Sequence, residues 1–308
     1  MYIITMLSSW FINNTVIGIF GLDTWFDNLV RGAIKNNLTN ITAGDGLVSI
    51  NSVSDQVRFV PSDYGGVYDI LNRLNKEVII PIGVIILSSL LFYTLIDEIL
   101  EKNKIQESIT IEFLIKLFLK ATLGLLVINN AWNISVAILD FSAKIIEKVA
   151  SVISAGSTST GTDFQAFETM IDGMSGGDLI MPLVLSMVTN LTLLFGTMLM
   201  YILIYSRIIE IYLLISTSAI PISTYMNKEW SQIGNNHIKK ISAKGLQGVL
   251  LVMVFGIMGG LQQSILHSAG TGQTGISSAM LQLLAFSIVT IIMLSKTGSI
   301  ANSIVGAN

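Results

Sequence analysis

The chain has 308 residues, of which 52% are apolar and only 12% charged, with a net charge of −3 and a mean hydropathy of +0.70. A water-soluble domain carries about a quarter charged residues to coat its surface, so much of this surface is expected to face lipid. The lack of any basic run excludes an ordinary duplex-DNA binder, and the absence of cysteine excludes disulfides and, with only His237 and His267 present, leaves little for zinc.

In chain order, Met1 to Leu22 carry no charge, but Thr5, Ser8, Ser9, Asn13, Asn14 and Thr15 interrupt the apolar positions. Trp10, Phe11, Trp25 and Phe26 lie close by, as aromatic rings do at a headgroup boundary. Residues 1–36 therefore read as helices lying in the interface rather than crossing the bilayer, within an extracytoplasmic segment of residues 1–77. The first Lys or Arg is Arg31, so the chain does not open like a secretory signal. Turn formers and short apolar runs without a period predict an irregular stretch from Asn37 to Tyr64.

A bundle is expected over residues 78–296. Its first span is Val78 to Ile96, with Pro81 in the first turn, where a missing N–H does no harm. A charged connector, Asp97 to Thr110, leads to a second span whose buried part is Leu117 to Leu139, since Lys116 and Lys120 can snorkel to the headgroups. An outer loop of residues 140–178 starts with an amphipathic helix, Phe141 to Ile153. It continues as the Gly/Ser/Thr-rich Ser154 to Asp178, which carries Asp163, Glu168, Asp172 and Asp178 and no base. Leu179 to Ser206 is uncharged and, at about 1.5 Å per residue, longer than the roughly 30 Å hydrocarbon core.

Arg207 and Glu210 follow, one turn apart. Ile211 to Met226 is then short for a span, rich in Ser and Thr and centred on Pro221, and reads as a broken or re-entrant helix. A basic cytoplasmic segment, residues 227–244, leads to spans Gly245 to Leu266 and Ser278 to Ser295, and Thr297 to Asn308 reads as a tail. With the N-terminus outside, five spans put Lys102, Lys104, Lys116, Lys120, Arg207, Lys228, Lys239, Lys240, Lys244 and Lys296 inside, against Lys144 and Lys148 in the outer loops. A crossing by residues 211–226 would lose that excess.

No motif points to catalysis. Gly156 to Gly161 spaces like a phosphate loop, but Thr162 stands where lysine should follow and no buried strand precedes it. The two histidines fall on opposite sides of the membrane in the five-span topology, and no serine faces a base within the bundle. Each of Arg207 and Glu210 would cost about 2.5–3.5 kcal/mol at a helix centre on the insertion scale. They are expected to form a local i,i+3 ion pair, or to line a conduit or hold the broken helix. Asn129, Asn130 and Asn133 form a polar patch suited to interhelical hydrogen bonds. Gly256 and Gly260 make a small-xxx-small packing face. The acidic loop is either solvated or a contact for a partner or cargo.

Three stretches carry a family resemblance. They are GVYDILNRLNKEVIIPIGVIILSSLLFYTLIDEI from Gly66 to Ile99, TIEFLIKLFLKATLGLLVINNAWNIS from Thr110 to Ser135, and RIIEIYLLISTSAIPISTYMNKEWSQIGNNHIKKISAKGLQGVLLV from Arg207 to Val252. Together they resemble the TrbL-type conjugal transfer proteins of Gram-positive elements, relatives of the polytopic channel subunit of type IV secretion systems. The likeness covers about residues 66–266 as a pattern of spans and small motifs, not a catalytic signature. It implies an all-helical plasma-membrane subunit, N-terminus outside and C-terminus cytoplasmic, that forms homo-oligomers. It would have no cofactor and no enzymatic activity, and would help to build the path for relaxase-bound single-stranded DNA. Secretion ATPases or a coupling protein would supply the energy, docking on Lys228, Trp230, Lys239, Lys240 and Lys244, with Ile238 and Ile241 as an apolar edge; the same lysines could instead only touch anionic headgroups. Longer relatives carry a soluble C-terminal domain, where this chain has the stretch read as a tail. The rival readings are a secondary transporter or small-solute channel, which should show internal repeats and paired broken helices, and a purely structural membrane scaffold.

Overall fold

The computed structural model describes residues 22–42, 50–63, 65–104, 111–156, 168–270 and 275–307. Every described element is a helix, as the apolar runs and the lack of strand alternation predict. In order these are α1 (Leu22–Thr42), α2 (Ile50–Val57), a 3-10 turn (Pro61–Asp63) and α3 (Gly65–Leu74). The helix α3 passes through a π-helical turn (Asn75–Ile79) into α4 (Ile80–Lys104), followed by α5 (Ile111–Asn129) and α6 (Ala131–Gly156). A 3-10 turn (Gly176–Leu179) then opens α7 (Ile180–Ser216), after which come α8 (Ala219–Ser223), a 3-10 turn (Thr224–Met226), α9 (Ser231–Gly270) and α10 (Ile276–Val305).

Among the described residues, four helical stretches are long and apolar enough to cross a membrane: Gly65–Lys102, Gly176–Ser216, Ser231–Gly270 and Ile276–Val305. The helix α7 has 37 residues and so reaches about 55 Å, well beyond a hydrocarbon core of roughly 30 Å. The helix α5 is as apolar as these but carries Glu112, Lys116 and Lys120, the first two joined by an exposed ion pair of 2.6 Å. A single residue, Asn130, separates α5 from α6. The i→i−4 bonding continues across it, from Asn130 N–H to Leu126 O and from Ile134 N–H to Asn130 O.

Several expected boundaries move. The stretch read as irregular holds the last six residues of α1 and all of α2; Ile50, Val53 and Val57 recur at helical spacing in α2, over too few turns to stand out in the sequence. The boundary read between the span ending at Leu139 and the amphipathic helix starting at Phe141 falls inside α6, which runs unbroken to Gly156. Residues 168–172 of the acidic loop are also helical. The stretch read as a tail is the last turns of α10, closed by Gly306 at φ +64, where only glycine is unstrained. The reading of residues 1–21 lies outside the described residues.

The chain divides into two compact units. The first comprises Met1–Ser54, Ala150–Ile202 and Val252–Ser295. Its core is aliphatic: Val30 and Ile34, one turn apart on α1, are buried with Ile171, Leu179, Leu266, Ala269, Met280 and Leu283. Asp27, Arg31 and Lys35 repeat at the same four-residue spacing on α1. The Asp27 carboxylate accepts from Gly176 N–H at 3.1 Å, Arg31 Nε donates to Met174 O at 3.1 Å, and Lys35 pairs with Asp172 at 2.8 Å. Trp25, Phe26 and Leu29 remain exposed, Trp25 by 61%.

The second unit comprises Asp55–Val149, Leu203–Leu251 and Lys296–Asn308. Its core gathers Leu87, Ile128, Ala131, Ala219 and Ile222. Trp132 donates to Tyr68 Oη at 3.0 Å with the rings edge to face. The end of α10 packs Ala301 and Ala307 against Ala243 of α9.

Candidate functional site

Between α7 and α9 the backbone of the second unit departs from regular α-helix over residues 217–230. Ser216 and Thr217 hydroxyls turn back to donate to Leu213 O at 3.1 and 2.8 Å, beside the Thr217 N–H, which bonds the same oxygen. The helix α7 ends at Ser216, and at Thr217–Ser218 the bonding shortens to 3-10 type, Ser218 N–H to Ile215 O, on the way into α8. Pro221 is the third residue of α8, a position whose N–H lacks an intrahelical partner in any helix. The break thus falls at residues 217–218 rather than at the proline or at residues 207–210.

A buried carbonyl at a helix end must find a donor. Ser216 O finds it in the side chain of Asn75, whose Nδ2 donates at 2.7 Å from a wholly buried position in the π-helical turn. On α4, Gly83 lets α8 lie close: a Cβ there would come within 2.8 Å of Ala219 O. At the far end, Asn227 Oδ1 accepts from the N–H groups of Glu229 (2.9 Å) and Trp230 (3.3 Å), which starts the run into α9. Asn227 Nδ2 meanwhile donates to Thr94 Oγ1 of α4 at 3.2 Å.

One turn-pair before the break, Arg207 is almost wholly buried. Its Nε donates to Lys244 O and its Nη1 to Val57 O, both at 2.7 Å. Val57 ends α2, so the guanidinium sits at the negative end of that helix. Hydrogen bonds from a charged donor return about 1.5–3 kcal/mol each, so two of them offset an insertion cost of about 2.5–3.5 kcal/mol. Gly248 makes room, since a Cβ there would lie 2.6 Å from Arg207 Nη2. Tyr212 extends the tie, donating from Oη to Pro61 O at 2.9 Å, with its ring edge to face against Phe59 at 5.2 Å.

The expected Arg207–Glu210 pair does not form. Glu210 pairs instead with Lys244 of α9 and accepts from Ser206 Oγ at 3.4 Å, because Arg207 points inward while Glu210 stays half-exposed. That removes Lys244 from the proposed docking patch. Lys239 Nζ donates to Gly306 O at 3.3 Å. Lys228, Trp230 and Lys240 are exposed, and so is Ile233, whereas Ile241 is buried and Ile238 packs on the core, so the apolar edge is not theirs.

The asparagine patch is corrected too. Asn129, Asn130 and Asn133 are exposed, and Asn130 Nδ2 bonds its own helix at Leu126 O, 2.8 Å away. The buried polar group there is Trp132. Of the glycine face, Gly256 does pack, with Ile153 where its Cβ would be, while no described residue of another element comes within 4 Å of a Cβ at Gly260. In the acidic loop, Asp172 is tied to Lys35, Glu168 is half-buried, Asp178 is exposed in the 3-10 turn, and Asp163 lies outside the described residues. Sequence reading missed Asn75, Gly83, Gly248 and Tyr212. A lone Asn before a span and a Gly two residues after Pro81 carry no local signal of the carbonyls they meet. Among the described residues no cluster of His, Asp and Glu could hold a metal ion.

No curated protein and no solved structure matches the chain. The model of one family, described as TrbL/VirB6 plasmid conjugal transfer like protein, matches residues 48–219. That stretch is more than half of the chain. It runs from the start of α2, through Asn75 and Arg207, to the break itself, and the chain therefore belongs to the TrbL/VirB6 plasmid conjugal transfer family.

Proposed function

We propose that this multi-pass membrane subunit of a conjugal transfer system is a non-enzymatic part of the path that moves relaxase-bound single-stranded DNA across the plasma membrane. The observation that supports it is the broken helix between two apolar helices. Irregular backbone at membrane depth is tolerated only where it is buried in protein or lines a water-filled cavity, and here it is tied by Asn75, Asn227 and Arg207. The proposal includes an N-terminus outside, a cytoplasmic segment of residues 227–244, homo-oligomers, and docking of a secretion ATPase or coupling protein on Lys228, Trp230 and Lys240.

The test is a donor strain lacking the gene, complemented by the wild-type chain. Transfer should fall to background without it, and in the complemented donor the outgoing strand should cross-link to this subunit. Normal transfer from the deletion strain would sink the proposal. Lost transfer with no cross-link, the relaxase cross-linking as usual to other components, would move the chain to the scaffold reading. In the same donors, Lys228→Glu with Lys240→Glu should insert normally but no longer co-purify with the ATPase.

A further inference from the structure

The seat of α8 is incompletely satisfied. Asn75 spends its amide N–H on Ser216 O, which orients its Oδ1 the other way, and that oxygen accepts no hydrogen bond from the protein although the residue is wholly buried. Ser218 Oγ, also wholly buried, has no partner among the described residues either, nor has Asn72 Oδ1 one turn before Asn75. Buried polar atoms normally find partners, and each one that does not weighs against the arrangement that buries it. The segment is also bounded by weak points at both ends. Before it, at Thr217–Ser218, the helical bonding tightens to 3-10 bonds, Ser218 N–H to Ile215 O and Ile220 N–H to Thr217 O; after it, Asn227 is extended, at φ −106 and ψ 129. Between the hinges α8 has only five residues, so little helical hydrogen bonding is at stake if it moves as a body. The π-helical turn that carries the latch residue is a rare element that accumulates at working sites.

We propose that residues 217–227 are a movable plug seated on α4 beside Gly83, its first hinge latched by the Asn75 side chain on Ser216 O. Unlatching takes the orphaned oxygens of Ser218 and Asn75 out to water. The opposing terms are the Asn75–Ser216 bond at the hinge, the Asn227–Thr94 bond, the bond from Gly234 N–H to Thr224 Oγ1 and the apolar contacts of Ala219, Ile222, Tyr225 and Met226 in the core. A seat held by few polar bonds, with unsatisfied groups beneath it, is an element with two positions rather than one. The proposal deepens the reading of this chain as part of a transfer path, since a plug has meaning only where something passes.

The test needs no transfer activity, so it stands apart from the deletion experiment. The chain has no native cysteine, and Ser218→Cys can be treated in native membranes with a small water-soluble maleimide. Asn75→Ala, which removes the latch, should speed its labelling several-fold. So should Gly83→Ala, which acts from the other helix by setting a methyl against Ala219 O. Ser135→Cys, equally buried on α6, should stay unreactive in all three backgrounds. Unchanged labelling of Ser218→Cys in both variants would overturn the plug. Equal acceleration at Ser135→Cys would overturn it as well, by showing a loosened fold instead of a moving segment.

Discussion

In the first unit, α1 lays Val30 and Ile34 into an aliphatic core and keeps Asp27, Arg31 and Lys35 along its rim, where each meets a carbonyl, an amide or a carboxylate with water still at hand. In the second unit the order is reversed at the α7–α9 interruption. Arg207, Asn75, Ser216 and Ser218 go inside, and the ion pair left half-exposed is Glu210 with Lys244. The same alphabet thus supports two kinds of interior. An apolar core tolerates loss of rim charges, since each of those interactions competes with water. A polar interior has no such reserve, because a donor removed there leaves a carbonyl that nothing else can reach.

Four substitutions would sharpen or break that contrast, all measured as thermal unfolding of the detergent-solubilised chain. The largest loss is expected for Arg207→Ala, about 3–5 kcal/mol, because the orphaned Val57 carbonyl adds to the space left by a large side chain. Arg207→Lys should recover part of it, an ammonium lacking the fork that reaches two carbonyls at once. Next comes Ile34→Ala in the first unit, about 3 kcal/mol for a wholly buried aliphatic side chain. Smallest is Lys35→Ala, at about 0–1 kcal/mol, since its pair with Asp172 is partly exposed and screened by salt. Should Lys35→Ala cost as much as Arg207→Ala, rim and interior would be energetically alike and the contrast would fail.

How much of this was legible follows from where each signal resides. The uncharged runs of α7, α9 and α10 announce themselves, because crossing a bilayer constrains every residue of a continuous stretch. Ser216, Thr217, Ser218 and Pro221 likewise signalled an interruption, since hydroxyls and proline act on their own helix. The Arg207–Glu210 pairing failed for the complementary reason. Three-residue spacing makes an ion pair possible, yet rotamer and burial choose the partner, and the chosen ones, Val57 and Lys244, lie 150 and 37 residues away. The asparagines at 129, 130 and 133 misled in the same way: polarity within an apolar run says that a partner is wanted, not that one is supplied.

By itself, then, the sequence determined the solvent, the helical class, the family and the presence of a broken helix, all of which depend on composition and on contacts within a few residues. Tertiary structure alone decided that the break falls at residues 217–218, that Asn75 closes it, that α8 lies against Gly83 and the Arg207 guanidinium against Gly248, and that Glu210 belongs to Lys244. Those are pairings of groups far apart in the chain. Backbone carbonyls are chemically identical at every position, so no residue type records which of them a distant side chain will reach.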